Sequence, residues 1–278
     1  MLSKITQYIV QVILLILPFV IPQVTLYENS DVLLTAVSLL FAILVGFFIA
    51  TTTSNYLRLQ TLISDANAGL ISIYNLVKVI EPNKRPLIEQ AIDDYMIASL
   101  DYEFLDYTNK TRKEFNQVMK VADTTEATDE KGFALLSELH ARMDDLLTND
   151  QEITLTAKRI VTPRHWFIII LLAILLAVSL LSFRDGGVFM SLFVGIMFVT
   201  IYHILILIHE IDTNQFLSKQ LSYEDPQQVF QGIGRAYYYP ESAIKKGYVK
   251  PESDTYRIGV YKNYPKSFEK ETKLVESK

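Results

Sequence analysis

The sequence of 278 residues contains no cysteine. Disulfide bonds, thiolate metal sites and cysteine nucleophiles are therefore excluded. Positive charge is missing from two long stretches: no lysine or arginine lies between Lys4 and Arg58, and Arg184 is the only one between Trp166 and Lys219. The net charge is −5, so the overall charge gives no reason to expect a nucleic acid as partner.

Long uncharged apolar segments occupy the stretches that lack basic residues. Half of the chain is hydrophobic and its mean hydropathy is positive, a balance that is rare in soluble enzymes of this length. About 20 residues of helix cross a bilayer core of roughly 30 Å. Four segments are near that length, namely residues 5–24, 32–50, 166–183 and 188–208. The first lacks a small-residue cleavage site, so we expect a retained helix with a kink at Pro18 or Pro22.

The basic residues that lie beside the spans predict the orientation. Arg58, Lys158, Arg159 and Arg164 lie close to the second and third spans, and basic segments next to a span stay in the cytoplasm. Both termini and the long middle segment are therefore predicted to be cytoplasmic, with short outer turns at residues 23–31 and 184–187. The predicted division is a first transmembrane pair at 1–58, a cytoplasmic helical region at 59–163, a second pair at 164–210 and a cytoplasmic tail at 211–278.

The middle segment is predicted to be helical throughout. Apolar residues at helical spacing continue from the second span to Ile80, a break follows at residues 81–86, and a second helix covers 87–107. A short helix or an extension covers 111–121, and a long helix runs from 133 to 160. Its predicted apolar face consists of Phe133, Leu136, Leu139, Met143, Leu146, Leu147, Ile153, Ala157 and Ile160. The acidic pairs Asp93/Asp94 and Asp144/Asp145 are predicted to be solvated, because adjacent helical residues diverge by about 100°, and Asp101 is predicted to face outward. His140, near the apolar stripe, is predicted to be a surface or packed histidine.

The tail changes character, because it is rich in Tyr and Pro. Short helices are predicted between residues 217 and 229, and the alternation at residues 256–261 predicts a short strand. The charged end, from residue 266 onward, is predicted to be disordered. The fold class expected from these patterns is an all-α integral membrane protein with four transmembrane helices and a cytoplasmic helical domain between the second and third.

The second span carries a row of small residues, each four positions from the next: Ser38, Ala42, Gly46, Ala50 and Ser54. Small residues at that spacing let helix backbones approach closely in lipid. The row is either an ordinary packing face or one face of a crowded central helix, several copies of which surround a pore. The polar residues 51–55 that follow are typical of a helix that leaves the membrane or widens into a wet vestibule.

The order of these segments resembles that of the bestrophins and their bacterial bestrophin-like relatives. Residues 41–59 look like the family's pore helix, residues 65–104 look like its cytoplasmic helical pair, and residues 209–221 fall where the family has an acidic junction. The sequence departs from the family where an Arg and neighbouring Trp residues usually follow the pore helix, because Asn55 and Tyr56 stand there.

The resemblance implies a homopentamer in which each second span lines a central pore. The apolar neck would be formed by Leu39, Ile43 and Phe47, with Leu40 as a substitute if the register slips. Ordinary packing of these side chains against lipid or protein stays open. So does the register one step around the helix, with Phe41, Val45 and Phe48. The wet inner vestibule would be lined by Thr51, Thr52 and Ser54.

The resemblance also bears on metals. The acidic junction is reduced to Glu210 and Asp212, whereas a calcium ion takes six to eight oxygen ligands. We therefore expect no metal site and no other cofactor.

The function predicted from the resemblance is an anion-permeable channel, with chloride as the expected ion, in the bacterial inner membrane. Its expected partners are the lipid bilayer, further copies of the chain and inorganic anions. The alternative is a non-conducting scaffold or sensor that recruits a partner through its cytoplasmic helices and tail, and the missing Arg and Trp favour it. An enzyme is not expected, because His203 is the only ionisable residue in the spans other than tyrosine, and with Tyr202 it forms no catalytic set. We expect His203 to be packed or hydrogen-bonded.

Overall fold

The computed structural model describes residues 4–22, 30–101, 110–157, 161–213, 223–263, 267 and 269–276. The chain is mostly helical and divides into two compact units, which are described separately. Unit 1 consists of residues 1–54 and 159–213, and unit 2 consists of residues 55–158 and 214–278. Some predicted features lie outside the described residues: residues 23–29 of the first outer turn, 102–107 of the second inner helix, Lys158, Arg159, Ile160 and residues 217–221 of the tail.

The elements of the described residues are, in chain order, α1 (Lys4–Val20), α2 (Ser30–Ile80), a 3-10 turn (Pro82–Lys84), α3 (Arg85–Asp101), α4 (Arg112–Asp123), α5 (Glu130–Thr156), α6 (Pro163–Ser182), α7 (Val188–Asp212), α8 (Glu224–Gly232), β1 (Tyr237–Pro240), α9 (Glu241–Lys245), β2 (Thr255–Tyr261) and β3 (Lys270–Glu276). The 51-residue helix α2 supplies part of both units.

Among the described residues, three helices are long and apolar enough to span a bilayer, namely α2, α6 and α7. Helix α1 has 17 residues and contains Pro18, whereas Pro22 lies outside it. At 1.5 Å per residue α1 extends about 25 Å, less than the hydrocarbon core of roughly 30 Å. A helical membrane protein is therefore confirmed, and the fourth span at α1 stays a prediction.

The core of unit 1 lies between α2, α6 and α7. Its buried residues come from all three helices: Val37, Phe41, Val45 and Phe48 of α2, Ile169, Ala173 and Leu176 of α6, and Val194, Phe198 and Ile201 of α7. Helix α1 packs on α7 at a close approach, since a β-carbon added to Gly195 would lie 2.5 Å from the Leu15 carbonyl oxygen. Glycine is thus required at position 195 for these two backbones to meet.

The core of unit 2 gathers the inner half of α2, the other helices of the unit and part of the tail. Its fully buried side chains include Leu59, Ile73, Ile88, Ile92, Phe115, Leu139, Leu146, Phe230 and Tyr238. The predicted break after α2 is confirmed at Pro82, and α4 is a separate helix. On α5 the predicted apolar face is wrong at Phe133 and Leu147, which are exposed because α5 buries only the narrower stripe through Leu139, Met143 and Leu146.

The tail contains a three-stranded sheet, which corrects the expectation of an all-α fold. The order is β1-β2-β3, with β1 parallel and β3 antiparallel to β2. The predicted strand at 256–261 is confirmed by β2. The prediction of a disordered end is wrong for β3, because its backbone pairs with β2 along all seven residues. Most of its side chains are exposed at the sheet edge, and Lys270 contacts Asp101 instead.

Helix α3 faces the tail through acidic side chains, which corrects the solvated reading of Asp93 and Asp101. Asp93 is buried and forms a bidentate ion pair with Arg257, with both N–O distances 2.7 Å. Asp101 is buried and accepts hydrogen bonds from Tyr238, Tyr261 and Lys270. Both carboxylates can be buried because tail donors replace the water they lose. Asp94, Asp144, Asp145 and His140 are exposed, as predicted.

Candidate functional site

The membrane half of α2 has one face that the chain itself buries. Val37, Phe41, Val45 and Phe48 recur every three or four residues and are only 3 to 6% exposed. Their partners come from α6 and α7 within the same core. The side chains of the alternative pore register, Phe41, Val45 and Phe48, thus pack within the chain itself, and the choice of register stays a prediction.

The opposite side of α2 carries the expected neck residues. Leu39, Ile43 and Phe47 are 59, 61 and 62% exposed, and Leu40 is exposed to a similar degree. Residues four apart lie about 6 Å apart along a helix and on nearly the same side of it. Three apolar side chains thus stand in a row on a surface that is open to lipid, to another copy of the chain or to a lumen.

The small residues accompany this row. Ala42, Gly46 and Ala50 are exposed, and Ser38 is half-buried with its hydroxyl donating to the Thr35 carbonyl at 3.0 Å. A β-carbon added to Gly46 would meet no atom within 4 Å. Packing within the chain therefore does not require a small residue at this position. The predicted packing face stays a prediction, and its partner has to come from outside the chain.

The three residues predicted to line the vestibule lie at the polar end of the membrane half of α2, and they differ in exposure. Thr51 donates to the Phe47 carbonyl at 2.8 Å and is half-buried, and Ser54 is exposed. Thr52 is 2% exposed and donates to the Phe48 carbonyl at 2.7 Å, on the same side as the buried Phe48. The expectation for Thr52 is therefore corrected: its hydroxyl is turned into the protein and is used by the helix backbone.

In unit 2, the continuation of α2 is fastened to the last turns of α5. The Asn55 amide donates to the Thr156 carbonyl at 2.7 Å, and Arg58 forms an ion pair with Glu152 at 2.8 Å. Asn55 stands where the resemblance led us to expect other residues, and it acts here as a tether between two helices. No local pattern announces this role, because its partner lies 101 positions away.

The beginning of α6 lies against α2 within unit 1. Thr162 caps the helix, and a capping box joins it to His165: the His165 amide donates to the Thr162 hydroxyl, and the Thr162 amide donates to Nδ1 of His165. The His165 ring contacts Phe48 with centroids 5.0 Å apart, and Phe48 contacts Phe47 at 5.6 Å. Sequence reasoning missed His165, although Thr162 and Pro163 mark the helix start.

At the acidic junction at the end of α7, Asp212 binds a backbone amide. One carboxylate oxygen of Asp212 accepts the Val161 amide at 2.9 Å, and the side chain is buried. His209, one turn earlier, contacts the Trp166 ring edge-on. Across the described residues, no group of three or more His, Cys, Asp or Glu side chains converges as a metal site would require.

His203 does not have the packed position that we expected of it. It is exposed, and its ring contacts that of Tyr202 with centroids 6.0 Å apart. The spans therefore present no set of convergent ionisable side chains in the part of the chain that the structure describes.

The cluster around Asp101 contains the most perturbed titratable groups. Burial raises the pKa of Tyr238 to about 12, and burial lowers the pKa of Lys270 to about 8, against the partly compensating charge of Asp94. Both groups donate to the same carboxylate, Tyr238 at 2.9 Å. Because this carboxylate is saturated by donors of the chain itself, the arrangement holds the sheet on α3 and leaves no free base.

Comparisons with known proteins bear on the whole arrangement. A model of the bestrophin-like domain matches residues 10–214, which include all of α2, α6 and α7. No curated protein matches the chain. The chain is similar to a crystal structure described only as that of a membrane protein, with a TM-score of 0.57 and 14% identity over 84% of this chain and 99% of the other. At that identity the likeness shows the fold alone.

Proposed function

The chain belongs to the bestrophin-like family, and on that premise we propose that it forms an oligomeric channel permeable to anions, with α2 lining the pore. Members of this family are ion channels and not enzymes, and they are usually oligomeric. The finer proposal is a homopentamer in the bacterial inner membrane that conducts chloride, with both termini in the cytoplasm.

The exposed row of Leu39, Ile43 and Phe47 is the observation that carries the proposal. The row lies opposite the face of α2 that the chain itself buries, so its side chains are available to line a pore. Around a symmetry axis the same row would form three stacked apolar rings. An ion that enters such a neck must shed water without a polar replacement, so the neck closes when it dries.

The groups beyond the neck support anions as the permeant species. On a helix with 3.6 residues per turn, Ser54 follows Phe47 on nearly the same face. The Arg58 side chain is 63% exposed although it pairs with Glu152. Between Asp31 and Arg58, α2 carries no acidic residue that would repel an anion. Hydroxyls of Thr51 and Ser54 would supply hydrogen bonds there.

The small residues support close assembly. Ala42, Gly46 and Ala50 lie beside the proposed neck row, and small side chains allow neighbouring helices to approach in lipid. In this proposal they face the α2 helices of adjacent subunits, while Leu39, Ile43 and Phe47 face the axis.

The alternative of a non-conducting scaffold receives less support from the tail. Its tyrosines Tyr238 and Tyr239 are buried, and its sheet is held on α3 by the ion pair of Arg257 with Asp93. These parts of the tail are therefore committed to the chain's own fold and are not free to recruit a partner.

The test combines mass and conductance. Native mass analysis in mild detergent should give a pentamer, and the same preparation should pass chloride in planar bilayers. A monomer or dimer would remove the pore. Well-folded pentamers that stay silent in repeated recordings would overturn the channel and favour the scaffold.

A further inference from the structure

Three aromatic rings connect the beginning of α6 with the exposed face of α2. His165 contacts Phe48 with centroids 5.0 Å apart, and Phe48 contacts Phe47 edge-on at 5.6 Å. Phe48 is 3% exposed, whereas Phe47 is 62% exposed and stands in the proposed neck row. Phe47 therefore contacts a buried ring that also contacts an imidazole.

The capping box uses one nitrogen of that imidazole as a hydrogen-bond acceptor. Nδ1 of His165 accepts the Thr162 amide at 3.3 Å, and a nitrogen that accepts cannot carry a proton. A proton on Nδ1 would set two donors against each other and would add a positive charge beside Phe48. The His165 ring would then have to move or turn, and its contact with Phe48 would change with it.

We propose that His165 is a positioning residue for the neck and makes conduction depend on pH. The proposal rests on the channel function proposed above, because it assigns a regulator to the same row of residues. Imidazole is the side chain whose charge ordinarily changes between pH 5 and 8, so this is the range over which the proposal is tested.

Of the titratable and charged groups near the start of α6, His165 is the one whose ring contacts α2. Helix α2 carries no Asp, Glu, His, Lys or Arg between Asp31 and Arg58. Within the described part of unit 1, the groups at the facing end of α7 are His209, Glu210 and Asp212. Of these, His209 contacts Trp166 and Asp212 accepts the Val161 amide.

Arg164 is the charged neighbour of His165 on α6 itself, and it is exposed. Its guanidinium is charged at every pH of interest, so it adds a constant background and no titration between pH 5 and 8.

The expected sign follows from electrostatics. A positive charge directly behind the ring pair Phe47–Phe48 favours water and anions in an apolar constriction, and a loosened Phe47 ring opposes them less. Chloride conductance should therefore rise as the pH falls from about 8 to about 5, by about fivefold or more if the coupling is of ordinary allosteric size.

The decisive variant is His165→Gln, measured in planar bilayers across that pH range. A glutamine at this position can still accept the Thr162 amide and complete the capping box, but it does not titrate. The conductance of this variant should be nearly independent of pH, whereas the matched controls His209→Gln and His140→Gln should keep the wild-type response. A pH response that survives in His165→Gln, or that is absent from a conducting wild type, overturns the proposal.

Trp166 gives a readout that does not depend on conduction, because it is the only tryptophan and follows His165 directly. In a His209→Gln background its fluorescence should titrate between pH 5 and 8, and the additional change His165→Gln should abolish that titration. Phe48→Leu, which removes the middle ring, should keep the fluorescence titration but flatten the conductance response.

Conductance and Trp166 fluorescence together distinguish a failure of the His165 proposal from a failure of the channel proposal. Conducting pentamers in which His165→Gln leaves the pH response unchanged disprove the role of His165 and leave the channel intact. Pentamers that never conduct, but whose Trp166 fluorescence titrates through His165, disprove the channel and, with it, the role of His165 at a neck.

Discussion

Arg257, in the middle strand of the C-terminal sheet, binds Asp93 of α3 with two parallel hydrogen bonds of 2.7 Å. The pair joins residues 164 positions apart in the chain. Arg257 also donates to the Ala236 carbonyl, and its guanidinium stands over the Phe230 ring. The pair thereby connects α3, β2 and the residues just before β1, and it makes the tail an integral part of unit 2.

Breaking this pair should destabilise the tail. Asp93→Asn keeps the size of the side chain but leaves the Arg257 charge without its anion in a buried place, which costs about 3 kcal/mol or more. Unfolding of the purified protein in detergent, followed by heat and by urea, measures the loss. Lys262→Gln is the matched control, because the Lys262–Glu269 pair is about two-thirds exposed and should matter by less than about 1 kcal/mol. Equal losses in both variants would contradict the assignment.

A second prediction concerns alkaline pH and Tyr238. Burial raises its pKa from 10.0 to about 12, and its hydroxyl donates to Asp101, so loss of the proton would set two anions against each other. Between these values the folded state binds more protons than the unfolded state. The contribution is therefore complete below pH 10 and is lost as the pH rises toward 12.

The control for Tyr238 is Tyr238→Phe, which cannot titrate. Thermal midpoints of both proteins should be compared from pH 9 to pH 12. The midpoint of the wild type should fall more steeply than that of the variant above pH 10. Parallel curves would show that Tyr238 does not carry this dependence.

The tail is also where the sequence was least informative. The strand β2 could be predicted, because the alternation lies in its own side chains. The pairing partners of β2 could not be predicted from the sequence. The parallel pairing with β1 and the burial of Asp93 and Asp101 depend on how the chain returns to α3. A carboxylate on a helix looks the same in sequence whether it meets water or an arginine from far along the chain.

Helix α2, which we propose lines the pore, shows a second limit of prediction from the sequence. Helical periodicity gave the extent of the apolar run and two candidate faces, one through Ile43 and one through Val45. It could not choose between them, because both rows are equally apolar. In the structure, packing against α6 and α7 buries Val45 and leaves Ile43 exposed, and our proposal therefore places Ile43 at the neck.

The neck row yields a prediction with a close control. Phe47→Ala and Ile43→Ala should each widen an apolar ring and should raise chloride conductance or alter the selectivity among anions in planar bilayers. Phe167→Ala is the control, because Phe167 is as exposed as Phe47 but lies on α6. It should leave conductance and selectivity as in the wild type. If Phe167→Ala has the larger effect, the pore is not lined by α2.

Two glycines in apolar helices should respond to substitution in different ways. At Gly195 a β-carbon would lie 2.5 Å from the Leu15 carbonyl oxygen, so Gly195→Ala forces α1 and α7 apart and should lower the stability of the chain by about 1 to 3 kcal/mol.

At Gly46 a β-carbon meets no atom within 4 Å, so even Gly46→Leu should leave the fold of the single chain and its helix content intact. If this position faces the α2 helix of a neighbouring subunit, the larger side chain should disrupt the pentamer, which native mass analysis detects. A Gly46→Leu protein that still assembles and conducts as the wild type does would place this face in lipid and remove α2 from the subunit interface.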